Sequence, residues 1–363
     1  MSETVKIIGG RKLVGEVTPI VNKNSLLAVI SAAVLSTETV SYRSVPETSD
    51  VVKLLTIIEK MGGKVTRGRN GVVRINCKEL NSFRVDEKIG GSFRASFMFA
   101  GSLLARFGIA EVPLPGGCDL GMRSIEAHTN AFERVGIEIE REGNYVRFRA
   151  PRVKAKKYRV WQIEASVTGT ENLAMYAAGI KSEVEIIDAA GEPHVTDLLN
   201  LLRGMGASIS GIGSNHLVIR GKKKLHKATF RPRPDFVDIA GYIVAAAVTN
   251  GEITINGANI PDIVDGMINW FSLFNVSITK KGKNLVAKRG RGGLVTNVKN
   301  SGFPMAAPNL PKMSPRPWPG FPVDVIPVMA TLASKSAGRL LLQNWMYESR
   351  LDFVRELNFL GAD

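Results

Sequence analysis

The sequence predicts an α/β protein assembled from repeated βαβαββ units, and three observations carry that prediction. First, a short phrase closes an amphipathic segment and leads into a strand five times: MGGKV (61–65), VGIEI (135–139), MGASI (205–209), FNVSI (274–278) and LGAD (360–363). The first four recur about every 70 residues, the mark of a repeated supersecondary unit. In each phrase a glycine or asparagine stands where a helix closes. Second, each interval repeats one order of helix-period and strand-period patterns. Third, prolines interrupt the pattern at 230–235 and again at 302–322, where seven of the 17 prolines fall and exclude a helix.

The first unit shows the plan. Residues 23–35 are small and apolar, as a buried helix requires, and 39–42 alternate as a strand. Residues 48–61 set Val51, Leu54, Leu55, Ile58 and Met61 on one stripe of an amphipathic helix. Strands at 65–66 and 72–75 then flank the turn Arg69, Asn70, Gly71, a hairpin signal. The second unit covers 93–149 and turns at 142–144. The third covers 170–220 and turns near Ser214 and Asn215. The fourth covers 237–288 and turns at 281–283, and the fifth begins at Asp324. The domains expected are one lobe of residues 23–231, holding units one to three, and another of residues 1–22 plus 232–363, holding units four and five.

Composition narrows the function. The 363 residues are 44% hydrophobic and 22% charged, ordinary globular values that need no disulfide or metal support. Two cysteines in unrelated settings, Cys77 and Cys118, fit a reducing compartment, and no ligand cluster suggests zinc. The opening residues lack the plan of a signal peptide, and no apolar run is long enough to span a bilayer. A soluble, cytoplasmic protein with no membrane partner is expected. A net charge of +15 calls for an anionic partner. The basic runs at 154–159, 222–224 and 280–281 are scattered and lack interleaved aromatics, so no nucleic acid is expected. Each run suits a solvated face first, and phosphorylated small molecules next.

The chemistry concentrates in PLPGGCDLGMR (113–123). A strand at 109–112 runs into two prolines and paired glycines, then Cys118, then an amphipathic segment at 122–135. Such a turn presents backbone N–H groups to an anion, and Arg123 adds a planar cationic fork. A thiol beside cations favours thiolate. The same residues also suit a surface turn with a buried cysteine.

Repeats in two lobes, Lys23 and Asn24 opening the first helix, and the PGGC loop together resemble the UDP-N-acetylglucosamine enolpyruvyl transferases. The motifs GEV (15–17), NKN (22–24), FRAS (93–96), SVTGTEN (166–172) and GFPVD (320–324) stand in family order, from about Val5 to the last residue. The resemblance implies a two-lobed inside-out α/β barrel, no cofactor, no metal, and phosphoenolpyruvate with UDP-N-acetylglucosamine as small-molecule substrates. It implies Cys118, Asp324 and Lys23 as catalytic: a proton donor on a closing loop, the base at the sugar 3-hydroxyl, and a phosphate-holding cation. Phosphoenolpyruvate falls to Lys23, Asn24, Arg123 and Arg350. The sugar nucleotide falls to Asn24, Arg94, Arg123, Ser124, Ile125, Glu126, Ala127, Ser166, Val167, Thr168, Asp324 and Met346. Met346 suits the core equally, Asn24 and Asp324 also suit helix caps, and His128 and His194 read as structural. A thiol at 118 implies alkylation by fosfomycin.

Some positions depart from the family pattern: Val323 stands for a threonine, Glu164 stands near a position that is often basic, and VDIAG (237–241) replaces an acidic-Ala-Gly-Thr run. The family has six units, so the last unit and a half is expected to be missing here. Other readings are a catalytically impaired UDP-sugar-binding relative, a 3-phosphoshikimate enolpyruvyl transferase, and a nucleic-acid-directed relative.

Overall fold

The computed structural model describes residues 4–114, 124–296, 303–347 and 351–362. They form two compact units, Val21–Arg233 and Met1–Ile20 with Pro234–Asp363. The chain begins with β1 (Val14–Val17) and then enters the larger unit. Its first repeat is α1 (Lys23–Ala32) with a 3-10 turn to Leu35, β2 (Thr39–Tyr42), α2 (Ser49–Lys60), β3 (Lys64–Arg67) and β4 (Val73–Asn76). The second adds α3 (Glu87–Gly90), a 3-10 turn Arg94–Met98, α4 (Phe99–Phe107), β5 (Ile109–Pro113), α5 (Glu126–Glu133), β6 (Glu138–Glu142) and β7 (Tyr145–Arg149). The third is β8 (Lys157–Trp161), α6 (Val167–Gly179), β9 (Glu183–Ile187), α7 (Pro193–Gly204), β10 (Ser208–Ser210) and β11 (His216–Arg220), and β12 (Thr229–Phe230) ends the unit.

Each repeat makes its own open sheet. The orders are β12-β2-β4-β3, β5-β7-β6 and β10-β11-β9-β8, and none closes into a barrel. The hairpin is antiparallel in every case, and a parallel strand completes two of the three: β12 against β2 and β8 against β9. Residues 83–85 play that part beside β5 through a parallel bridge at Arg84 and Glu111. Pleating turns Val40, Tyr42, Val73 and Ile75 into the core and leaves Arg74 outside. The Tyr42 hydroxyl donates to the Val29 carbonyl at 2.8 Å, tying the first sheet to α1.

The core of this unit is helical. Every residue of α6 from Gly169 to Ala178 is buried, and so is most of α1 and α4. Helices α4 and α6 meet at small residues: an added Cβ at Gly179 would lie 2.7 Å from Ala105 Cβ. Such closeness needs glycine on one side.

The smaller unit repeats the plan with α8 (Phe236–Val248), β13 (Glu252–Ile255), α9 (Pro261–Ser272), β14 (Val276–Lys281) and β15 (Asn284–Arg289). Here β1 pairs in parallel with β13, in the order β1-β13-β15-β14. There follow β16 (Met305–Ala307), β17 (Leu310–Met313), a 3-10 turn Val323–Val325, α10 (Ile326–Ala333), β18 (Leu341–Leu342) and α11 (Val354–Phe359). The five helix-closing residues expected from the repeated phrase, Gly62, Gly136, Gly206, Asn275 and Gly361, have φ of 95°, 79°, 110°, 57° and 82°. All are left-handed, as a C-cap of this kind requires.

Candidate active site

Helix α1 begins at Lys23. Its cap is Asn22, whose side chain accepts the Ser25 N–H at 3.0 Å, so Asn24 is not the cap and stands exposed on the first turn. Lys23 Nζ lies 2.9 Å from Asp50 Oδ2 at the head of α2. Below the surface the turn is anchored. The Ser25 hydroxyl donates to Asp197 Oδ2 at 2.6 Å, and Arg233 Nη2 meets Asp197 Oδ1 at 2.8 Å. The Arg233 carbonyl accepts the Asn22 N–H at 2.8 Å. Burial pushes the Asp197 carboxyl up, and the Arg233 charge opposes that rise.

A second cluster forms where α5 and α6 begin. Arg94 Nη2 donates to the Ser124 carbonyl at 2.8 Å, and the Ser124 hydroxyl oxygen accepts the Glu126 N–H at 2.9 Å. Ser166 caps α6 through the Gly169 N–H at 3.3 Å. The Ala127 carbonyl is 3.4 Å from where a Gly169 Cβ would stand, so the two helix starts adjoin. Helix starts favour anions, and Arg94 adds a full charge to the same place. Ile125 and Ala127 are buried and serve the packing, whereas Val167 and Thr168 are half-buried and Glu126 is exposed.

His128 organises this cluster, a role its helical stripe did not reveal. Asn172 Oδ1 accepts the Gly101 N–H at 2.8 Å, and Asn172 Nδ2 donates to the Phe97 carbonyl at 2.9 Å. That fixes the amide, which then donates from Nδ2 to His128 Nδ1 at 3.0 Å. The ring proton is thereby assigned to Nε2, 2.9 Å from Thr168 Oγ1. Thr168 accepts from the imidazole, so its own hydroxyl proton is left for another acceptor. Burial, helped by the Arg94 charge, pushes His128 down to about 3. Burial likewise pushes His194 down to about 4, with Arg233 adding to it.

Both histidines are neutral in the fold and titrate near 6.5 when unfolded. The unfolded chain therefore takes up protons first as pH falls, and their contribution is complete above about pH 6.5 and lost toward 4 and then 3. Each buried imidazole is expected to cost about 1.4 kcal/mol per pH unit through that window. Urea midpoints between pH 7 and pH 4.5 check it: His128→Gln should show a flatter pH profile than the unaltered chain. Parallel profiles would contradict the assignment.

In the smaller unit Asp324 is half-buried in the 3-10 turn ahead of α10. The cap position of α10 is Val325, so Asp324 does not cap that helix. Asp235 caps α8, accepting the Val237 N–H at 2.8 Å. Burial pushes its carboxyl up, and the Asp238 and Asp324 charges add to that. Met346 is half-buried against the core of this unit. Cys118, Arg123 and Arg350 lie outside the described residues. Among the described residues no group of three or more His, Cys, Asp or Glu side chains is placed to hold a metal ion, and no helix is long and apolar enough to cross a membrane.

Residues 7–363 match the family model described as EPSP synthase (3-phosphoshikimate 1-carboxyvinyltransferase). The UDP-N-acetylglucosamine 1-carboxyvinyltransferase of Treponema denticola is 34% identical over 98% of this chain and 81% of its own length. Those of Treponema pallidum and Bradyrhizobium diazoefficiens are 36% and 32% identical, again over 98% of this chain, and over 81% and 80% of theirs. Among solved structures, the enolpyruvyl transferase NikO from Streptomyces tendae superposes with a TM-score of 0.80 at 18% identity, over 96% of this chain and 79% of its own. An EPSP synthase from Acinetobacter baumannii gives 0.67 at 16% identity, over 96% and 78%. These two likenesses concern the fold.

Proposed function

The chain belongs to the EPSP synthase family of 1-carboxyvinyltransferases, and from that premise we propose that it transfers enolpyruvate from phosphoenolpyruvate to the 3-hydroxyl of UDP-N-acetylglucosamine, releasing phosphate. The product opens peptidoglycan synthesis. The observation that carries the choice of acceptor is the breadth of the likeness to UDP-N-acetylglucosamine 1-carboxyvinyltransferases, which spans 98% of the chain.

The chemistry is an addition followed by an elimination. The sugar oxygen bonds to C2 of phosphoenolpyruvate as its proton leaves, and C3 takes up a proton. The adduct then loses a C3 proton and its C–O bond to phosphate, which restores the double bond. A carboxylate and a phosphate have to be held by cations throughout. In this reading Lys23, Arg123 and Arg350 hold them, and Asn24 hydrogen-bonds across both substrates. The diphosphate suits the adjoining starts of α5 and α6, where Arg94, Ser124 and Glu126 stand near Ser166, Val167 and Thr168. His128 is a positioning residue that turns the Thr168 hydroxyl proton outward. Asp324 removes the hydroxyl proton, Cys118 delivers the proton to C3, and Met346 borders the sugar. A thiol in that role is open to fosfomycin, and the cytoplasm is where both substrates are at hand.

The test is phosphate release from phosphoenolpyruvate by the purified chain. Release is expected with UDP-N-acetylglucosamine, not with 3-phosphoshikimate, and not from Cys118→Ala. A folded chain that releases nothing with the sugar nucleotide would overturn the reading.

A further inference from the structure

We infer that the outer face of the sheet β12-β2-β4-β3 carries a separate anion site, built for a phosphate-bearing small molecule. A cavity of about 360 Å³ opens there, lined in part by Arg43, Arg74, Arg231, Ser41, Thr229 and Asn70. Strand register explains the grouping. Thr229, Ser41 and Arg74 are direct cross-strand neighbours, in that order. The Arg43 N–H donates to the Phe230 carbonyl at 3.0 Å, so the pairing runs one residue further. Side chains two apart share a face, which sets Arg43 and Arg231 beside that row. The opposite face, with Tyr42, Val73 and Phe230, is buried against the helices. The sheet therefore stands between this cavity and α1, which carries Lys23.

The sister sheets of the same unit show what is different here. On the third sheet, β9 sets Glu183 and Glu185 beneath Lys157, Arg159, His216 and Arg220, and all four pair with them. On the second, Glu111 of β5 takes both Arg84 and Arg147. The first sheet has Thr39 and Ser41 on its corresponding central strand, β2, where β9 has glutamates. Among the described residues no carboxylate pairs with Arg43, Arg74 or Arg231. Three guanidinium forks with hydroxyl donors between them match phosphate oxygens, which accept but do not donate. The cavity is at the small end for ligand sites and suits a group the size of pyrophosphate or a mononucleotide.

Titration calorimetry of the whole chain at low salt tests this, with inorganic pyrophosphate and adenosine 5′-monophosphate as probes. A Lys23→Ala background removes one competing cation of the proposed active site, and the double variant below separates this cavity from the cations that remain there. Saturable binding is expected to persist there, to weaken at least tenfold in Arg43→Gln/Arg74→Gln, and to be unchanged in Arg220→Gln. Tighter binding of the mononucleotide would mark a phosphate ester as the ligand, and tighter pyrophosphate a bare phosphate; either supports the site. Equal binding by the double variant, or uptake that never saturates, would overturn it. A single-stranded oligonucleotide that binds more tightly than both probes, with the same loss in the double variant, would overturn the small-molecule assignment in favour of nucleic acid. All three arginines are exposed, so the substitutions leave the fold in place.

Discussion

Gly101→Ala is expected to destabilise the Val21–Arg233 unit by about 3 kcal/mol or more, at the upper end of overpacking effects. Glycine to alanine inside a helix ordinarily gains up to about 1 kcal/mol, so the sign rests on what the new methyl meets. At Gly101 it would lie 2.0 Å from the Asn172 carbonyl oxygen, a backbone atom in the buried stretch of α6. Neither α4 nor α6 can yield without opening the core between them. The loss should also reach the candidate site, because the Gly101 N–H fixes the Asn172 amide that orients His128. Gly241→Ala in α8 is the control, since nothing lies within 4 Å of its added methyl. Chemical denaturation of both variants checks this. A Gly101→Ala chain as stable as the control would mean that the two helices separate easily.

The repeat was legible because it rests on local chemistry. A helix stripe, a closing glycine or asparagine and a two-sided hairpin each declare themselves within about 15 residues. The element limits followed closely: 39–42 became β2 unchanged, and the helix expected at 48–61 is Ser49–Lys60. What the sequence hid was non-local. Nothing near Thr39 reveals that Thr229 and Phe230 complete its sheet in parallel. The third unit is expected to begin at Thr170, yet α6 starts at Val167 and buries Thr170, Glu171 and Asn172. Those polar groups are placed by tertiary partners, such as Gln162 for Thr170 at 2.8 Å and Gly101 for Asn172. Burial pushes the Glu171 carboxyl well up, with Glu192 and Asp197 adding to it, and no periodicity signals that. The same holds for the candidate site. Lys23 and Asn24 were visible in a motif, whereas Asn22 as the cap, the Asp197–Arg233 anchor and the His128–Thr168 bond exist only once distant segments meet.

Lys23→Ala is expected to give the opposite signature, a large loss of activity with little loss of stability. In the proposed reaction Lys23 meets the phosphate of phosphoenolpyruvate, and removing a cation that binds a reacting anion costs on the order of a thousandfold in kcat/KM, about 4 kcal/mol. The fold has little stake in it. The Lys23–Asp50 pair, at 2.9 Å, leaves the lysine side chain 44% exposed, and such pairs contribute no more than about 1 kcal/mol. The turn is held instead by Asn22, Ser25 and Asp197, none of which the substitution touches. Asp50→Asn separates two accounts of the pair. If Asp50 only parks the ammonium, its loss should leave kcat unchanged and lower KM for phosphoenolpyruvate. If Asp50 aims the ammonium, KM should rise. Steady-state kinetics with denaturation midpoints for the three proteins read both quantities. Unchanged kcat/KM in Lys23→Ala would remove Lys23 from the reaction and leave the cationic work to the arginines.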